Sequence, residues 1–479
     1  MQARADALEG GPRTESAHSG SGHVNFLIFR ILLGIVVLAP LPLGSNRPLA
    51  WSAIAFAVAL LMVGWGSAVV TGRARAPVPL GWLGGIATCF ALALGWGWVQ
   101  STGAVPQSVW HPLWAEASQA LGKPVAGGIS IDPTLSHAAI LRLLSYGGVF
   151  WLAAQLCRER SRAREALVAV AAAGVLYAAY GLLGHFAGWE RILWLEKWAY
   201  IGDLTSSFVN RNAYGAYAGI GLVCCTALFL HELRPPRRGE TRRVYDMTEI
   251  LLLRAMPFMI GGVVLGTALL LSHSRGAFLS TGAGILVLMA AVMMSRLVRP
   301  RTALLVGLVI AVAGTAVLGM SGDGTFSRLA DTDIQNGDKD RAELYRIALQ
   351  AIGDAPLTGH GIGTFAAAFR MYRETSLSAP TVWDYAHNVH LEMAMDLGLP
   401  AAILLYIGFA TILGVCLRGL LRRRRDQVYP AVALSVAALI GLHGLVDFSA
   451  QMPAIALTLS FLLGLGFAQS WRTSDGGNE

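Results

Sequence analysis

A chain that repeatedly runs about twenty residues with few charges has little choice of fold, because each such run must satisfy its own backbone inside lipid. Twelve of these runs recur here, at 25–42, 49–70, 80–100, 138–157, 166–187, 212–231, 251–271, 276–295, 302–320, 393–416, 428–446 and 453–470. Only 14% of the 479 residues are charged, where a soluble domain carries roughly 25%. Mean hydropathy is +0.54. The fold class that follows is an all-α polytopic membrane protein of about 12 transmembrane helices.

The net charge of +8 is concentrated in alternate loops. Arginines crowd them: Arg73 and Arg75; Arg158, Arg160, Arg162 and Arg164; Arg234, Arg237, Arg238, Arg242 and Arg243; Arg296, Arg299 and Arg301; Arg418 and Arg422 to Arg425. Short basic loops stay cytoplasmic, so both termini face inward, and the charge orients the chain rather than binding nucleic acid. On this reading residues 1–24 form a disordered cytoplasmic tail and 25–320 hold the first nine helices. Residues 321–392 form a helical periplasmic loop, 393–470 hold the last three helices, and 471–479 form a second cytoplasmic tail. Cys89, Cys157, Cys224, Cys225 and Cys416 lie in or beside apolar runs with no CxxC spacing, as small packed residues do.

Three outer segments are long: 101–137, 188–211 with Trp189, Trp194 and Trp198, and 321–392. The tryptophans resemble an interfacial aromatic belt. In the third segment, RAELYRIALQAIGDAP places Leu344, Ile347, Ala348 and Ile352 on one helical stripe. Asp340 is placed to cap that helix, and Pro356 follows its end. GHGIGTF at 359–365 follows no strand and has no Lys-Ser/Thr after it, so it reads as a glycine-rich turn between helices rather than a nucleotide loop. The absence of an internal repeat argues against a transporter built from two similar halves.

Three outer segments carry candidate chemistry. LGTALLLSHSRGAF places Arg275 at the outer surface, away from most of the positive charge. Two readings fit it: an arginine snorkelling to the headgroups, or an anion clamp whose planar fork holds two phosphate oxygens. Ser274 supplies a hydroxyl, and Gly276 opens a helix whose N-terminus favours anions. SSFVNRNAYGAYA places Arg211 at a second outer helix start, with Asn210 as the candidate N-cap. It is an interfacial cap or a second cation for a diphosphate. DYAHNVHLEMAMDLGLP holds His387, Asn388, His390 and Glu392. His387 reads as a metal ligand with His390 and Glu392, as an interfacial structural histidine, or as a general base oriented by Asp384 or Glu392. His443 and Asp447, near an outer helix end, are ionisable candidates or simply partners of each other.

These segments resemble the O-antigen ligase and O-antigen polymerase superfamily. His387-Asn388, nine residues, then Gly398 is similar to the ligases' signature of His, then Asn, Ser or Gln, nine residues, then Gly-x-x-Gly; this chain has Ala401 at the last position and Pro400 inside the turn. Arg275 in RGAF, Arg211 in NRNAYG, the run RAELYRIALQAIGDAPLTGHGIGTF and LPLGSNRP at 41–48 also look like family features. The resemblance implies a membrane architecture of the GT-C type in the bacterial inner membrane, with its active site facing the periplasm. It implies an undecaprenyl-diphosphate-linked glycan as donor, a lipid (lipid A-core or similar) or glycan hydroxyl as acceptor, and neither metal nor any other cofactor. It implies that Arg211 and Arg275 hold the diphosphate and that His387 activates the acceptor hydroxyl, with Asn210, Ser274, Asn388, Asp384 and Glu392 in support. Ligase activity leads; polysaccharide polymerase is the alternative, and a polysaccharide or lipid transporter is the reading from another class.

Overall fold

A computed structural model of the chain describes residues 13–234, 250–295, 332–374 and 383–472, with isolated positions at 298, 301, 306, 307 and 377. Helices dominate: α1 (Arg13–Leu38), α2 (Pro48–Val70), α3 (Leu80–Gln100), α4 (Leu113–Leu121), α5 (Pro133–Leu156), α6 (Arg160–Phe186), α7 (Arg211–Glu232), α8 (Met256–Leu271), α9 (Arg275–Ser295), α10 (Thr332–Asp354), α11 (Phe365–Tyr372), α12 (Val389–Leu397), α13 (Leu399–Arg422), α14 (Val428–His443) and α15 (Pro453–Gln469). The single sheet among the described residues is an antiparallel hairpin, β1 (Arg191–Ile192) with β2 (Leu195–Glu196). Among the described residues, eight helices are long and apolar enough to cross a membrane, and three shorter apolar ones accompany them. The chain is an all-α polytopic membrane protein.

Sequence and structure agree closely on the helix ends. The run at 80–100 coincides with α3, and those at 49–70, 276–295 and 453–470 differ from α2, α9 and α15 by one residue at an end. The run at 302–320 lies largely outside the described residues. Other ends differ by several residues: α5 begins at Pro133 rather than 138, α6 at Arg160 rather than 166 and α8 at Met256 rather than 251. Three further differences change the reading. The first helix begins at Arg13, inside the stretch 1–24 expected to be a tail. The helix expected to start at 393 starts at Leu399, because Gly398 (φ 76°, ψ 158°) breaks the apolar run and leaves 393–397 in α12. That backbone region is essentially confined to glycine. The helix of the large loop begins at Thr332, so Asp340 lies inside it and caps nothing.

α7 is the central helix, 89% buried along its most apolar stretch. Glycines let its neighbours approach: a Cβ on Gly215 would lie 2.8 Å from the Ala277 Cβ of α9, and one on Gly219 would collide with Thr281. Small residues at such crossings bring backbones together where no hydrophobic force favours one apolar contact over another. α7 also packs on α6, α8 and α14, and α15 closes the bundle against α5 and α14.

Over one end of the bundle lies a second, smaller core. Leu344, Ile347, Ala351 and Ile352 of α10 meet Phe365 and Phe369 of α11 and Met395 of α12. The glycine-rich turn seats this layer. Gly359, Gly361 and Gly363 all have positive φ, and a side chain at Gly361 would strike Ser130. His360 and Gly361 donate backbone hydrogen bonds to Met395 and Asp396 (3.0 Å each), and Gln100, at the end of α3, bonds Thr358, Ile362 and Asp396. The turn is thus a fastener between α3, α12 and the outer layer.

Candidate functional site

Two helix starts and one loop converge beneath that layer. α7 opens at Arg211, and the side-chain oxygen of Asn210 accepts from the amides of Asn212 and Ala213 (2.7 and 3.0 Å), satisfying two of the orphan amides at the helix start. α9 opens at Arg275 itself rather than at Gly276. The buried Ser274 hydroxyl accepts from the Ala277 amide at 3.3 Å. The Arg275 residue is exposed.

The segment before α7 ties Arg211 to the turn that precedes Arg275. Leu204 donates to the backbone oxygen of Leu271 at 3.0 Å, which holds residues 203–206 against the end of α8. Asp203 then reaches two partners. One carboxylate oxygen accepts from the Arg211 guanidinium and the other meets His273 Nδ1, both at 2.7 Å. Burial works against ionisation of Asp203, but the His273 and Arg211 hydrogen bonds outweigh it and hold the carboxyl below its usual range. His273 sits at φ 53°, two residues before Arg275. The Arg211 guanidinium also lies over the ring of Tyr200, 5.6 Å from its centroid, and Asn210 donates to the Tyr200 hydroxyl at 3.1 Å.

A parallel arrangement stands beside it. Asn212, the next residue of α7, donates to Asp447 Oδ2 at 2.6 Å. The same oxygen faces His387 Nδ1 at 3.7 Å, a polar contact too long to be a hydrogen bond. Burial alone would raise Asp447; His387 and the Phe448 amide (2.8 Å) outweigh it and hold the carboxyl low. Adjacent residues of one helix turn therefore each grip a buried aspartate, and each aspartate faces a histidine. Asp447 does not share a side-chain hydrogen bond with His443. Both ring nitrogens of His443 are buried without a partner, close to Gly276.

His387 is held in a left-handed backbone conformation, φ 50°, which a non-glycine residue adopts only when its surroundings impose it. Those surroundings are specific. Tyr345 of α10 donates its hydroxyl proton to the His387 backbone oxygen at 2.9 Å. Glu392 accepts from the Ala386 amide at 2.9 Å. Asn388 caps α12 by accepting from His390 and Leu391, both at 3.1 Å. The ring lies edge-on to Phe448, 4.9 Å between centroids, and to Trp383 at 5.8 Å.

The supporting residues divide. Asn210, Ser274 and Asn388 are local caps, and Glu392 braces the backbone before His387. Asp384 is exposed. The carboxylate facing the His387 ring is Asp447, not Asp384 or Glu392. His390 does not join His387: its Nδ1 meets the Tyr406 hydroxyl and its Nε2 the backbone oxygen of Gly441 at 3.0 Å. Among the described residues no three His, Cys, Asp or Glu side chains gather as metal ligands do. Asp203, His273 and Asn212 were not singled out for a role by the sequence; Asp203 leaves only the weak signal of an acid in an outer loop eight residues before Arg211. Arg211 Nε and His387 Nδ1 are buried atoms without a hydrogen-bond partner.

Residues 260–406 match the family model Wzy_C, described as O-antigen ligase. The matched stretch holds Arg275 and His387; Arg211 and Asp447 lie outside it. No curated protein matches the chain.

Proposed function

From a segment, 260–406, that belongs to the O-antigen ligase and polymerase superfamily, we propose that this protein moves a glycan from undecaprenyl diphosphate to an acceptor hydroxyl on the periplasmic side of the bacterial inner membrane. Family membership carries ligase- or polymerase-type function and lipid-linked glycan substrates in general. The donor, the direction and the residue roles are part of the proposal.

One observation carries it: the first turn of α7 holds Arg211 and Asn212 side by side, each bonded to an aspartate that faces a histidine. Arg211 and Arg275 clamp the diphosphate, and their fixed charge meets the negative charge that develops as it leaves. The acceptor oxygen attacks the anomeric carbon, the bond from that carbon to the diphosphate oxygen breaks, and configuration inverts. The hydroxyl proton passes to His387. Because Nδ1 faces Asp447, the base nitrogen is Nε2, and the carboxylate stabilises the imidazolium that forms.

Transfer to lipid A-core is the leading reading and chain lengthening the second; Ala401, where the ligase signature has its last glycine, keeps the second in view. The test is product analysis after reconstitution with a lipid-linked glycan donor and both acceptors. Glycan on lipid A-core identifies a ligase, and a longer lipid-linked chain identifies a polymerase. A donor consumed by neither route contradicts the proposal.

A further inference from the structure

In the segment that leads from α6 to α7 lies a cavity of 670 Å³ that the transfer chemistry does not use. Its walls are the end of α6, at Tyr180, and the β1–β2 hairpin, with Trp189, Glu190, Arg191, Glu196 and Lys197. A second, small cavity of 30 Å³ shares Tyr180, Glu190, Arg191 and Lys197 with it and is lined also by Asp203, Leu204, Thr205 and Ser206. Asp203, which lines that smaller space, is the residue that holds Arg211.

This is a built wall rather than a loose loop. The chain turns at Gly188 (φ 68°) and Leu193 (φ 56°). The Tyr180 hydroxyl accepts from the Leu193 amide at 2.7 Å. Glu190 accepts from the Gly202 amide at 3.0 Å and pairs with Lys197 at 3.4 Å. Lys197 is nearly buried, its side chain 7% exposed, and donates to the Asp203 backbone oxygen at 2.6 Å. In the segment that lines the smaller cavity, Thr205 keeps a buried hydroxyl without a hydrogen-bond partner, as does Ser207 just after it.

The lining is chemically balanced. Two carboxylates face two cations, with a phenol and an indole beside them. A purely anionic ligand would meet Glu190 and Glu196, a cation would meet Arg191 and Lys197, and a lipid tail would strip water from all four at high cost. A neutral polyol suits every element: vicinal hydroxyls donate to carboxylates and accept from cations, while an indole packs against the apolar face of a sugar ring. The volume falls within the roughly 300–1,000 Å³ of small-ligand sites. We propose that this cavity binds the sugar, or first two sugars, attached to the donor diphosphate, and that the hairpin sets donor specificity. The inference rests on the donor reading above.

The test uses the full-length protein in lipid nanodiscs. Its probes are undecaprenyl diphosphate, bare and bearing N-acetylglucosamine, N-acetylgalactosamine, glucose or galactose. At least one glycosylated lipid should bind about tenfold more tightly than the bare one, the scale of one or two hydrogen bonds to charged groups. Glu196→Gln with Arg191→Gln, and separately Trp189→Ala, should remove most of that preference and leave the affinity for the bare lipid unchanged. A preference that survives these variants, or a wild-type protein that prefers no sugar in the panel, overturns the cavity inference while the donor reading stands. A wild-type protein that binds none of the lipids overturns the donor reading instead.

Discussion

At the residue scale, the site is a pair of His–Asp contacts anchored on Arg211 and Asn212, and each member has a separable role. Arg275→Lys should lose most transfer, because one ammonium cannot reproduce a bidentate fork. Arg211→Ala should weaken donor use, and it also leaves the buried Asp203 with His273 alone. His387→Ala should slow transfer by about 10² to 10⁴, the usual worth of a positioned acid–base group, with donor binding retained. Asp447→Asn should slow it less, since the imidazole remains; steady-state rates beside donor affinities separate these cases. His390→Ala should be milder than His387→Ala, because His390 ties α12 to α14. Equal losses in the two histidine variants would contradict a base at His387. The arginines and His387 stand out in the sequence because polar residues beside an apolar run are conspicuous, and the structure brings Arg211 and His387 to neighbouring aspartates. Asp203 does not stand out, because its partners Arg211 and His273 lie on different elements that only the tertiary fold brings together.

At the element scale, α12 and its two turns decide where His387 points. Gly398→Ala would force an alanine into a glycine-only conformation with its Cβ against the Leu357 carbonyl, about 2.5 Å away. It should lower the thermal midpoint and transfer together, as measured by unfolding in detergent and by activity. Glu392 gives a pH test. Burial raises its carboxyl to about 7, against opposing contacts from the Ala386 amide, Gln451 and Arg142. A folded value above the unfolded one, roughly 4.3, means the stabilisation is complete below the unfolded value and is lost as pH rises through 7. Between pH 5 and 8 the wild-type midpoint should therefore fall more steeply than that of Glu392→Gln; parallel curves would refute this. The sequence read through Gly398 because leucines and methionines continue on both sides of it, so hydropathy saw one span where backbone geometry makes two helices. It located the α10 stripe correctly because Leu344, Ile347 and Ile352 repeat at helical spacing whatever they pack against.

At the scale of the whole molecule, the helix order follows from apolar runs that lipid alone requires, which is why so many ends were readable. The layer over the site depends instead on glycines and side-chain hydrogen bonds between distant segments, such as Gln100 with Thr358 and Asp396, and no periodicity records those. Orientation is testable directly. In a variant lacking Cys89, the one native cysteine that is not buried, a cysteine at the exposed Leu349 should react with an impermeant reagent from outside. One at Arg424 should react only after the membrane is opened; the reverse pattern would invert the topology. The most direct test of the account is release of undecaprenyl diphosphate by the purified protein, given lipid-linked glycan and acceptor. The account predicts release coupled one-to-one to glycan transfer in the wild type, and loss of both in Arg275→Ala and His387→Ala. Full release and transfer in either variant, or transfer without release of the lipid diphosphate, would contradict it.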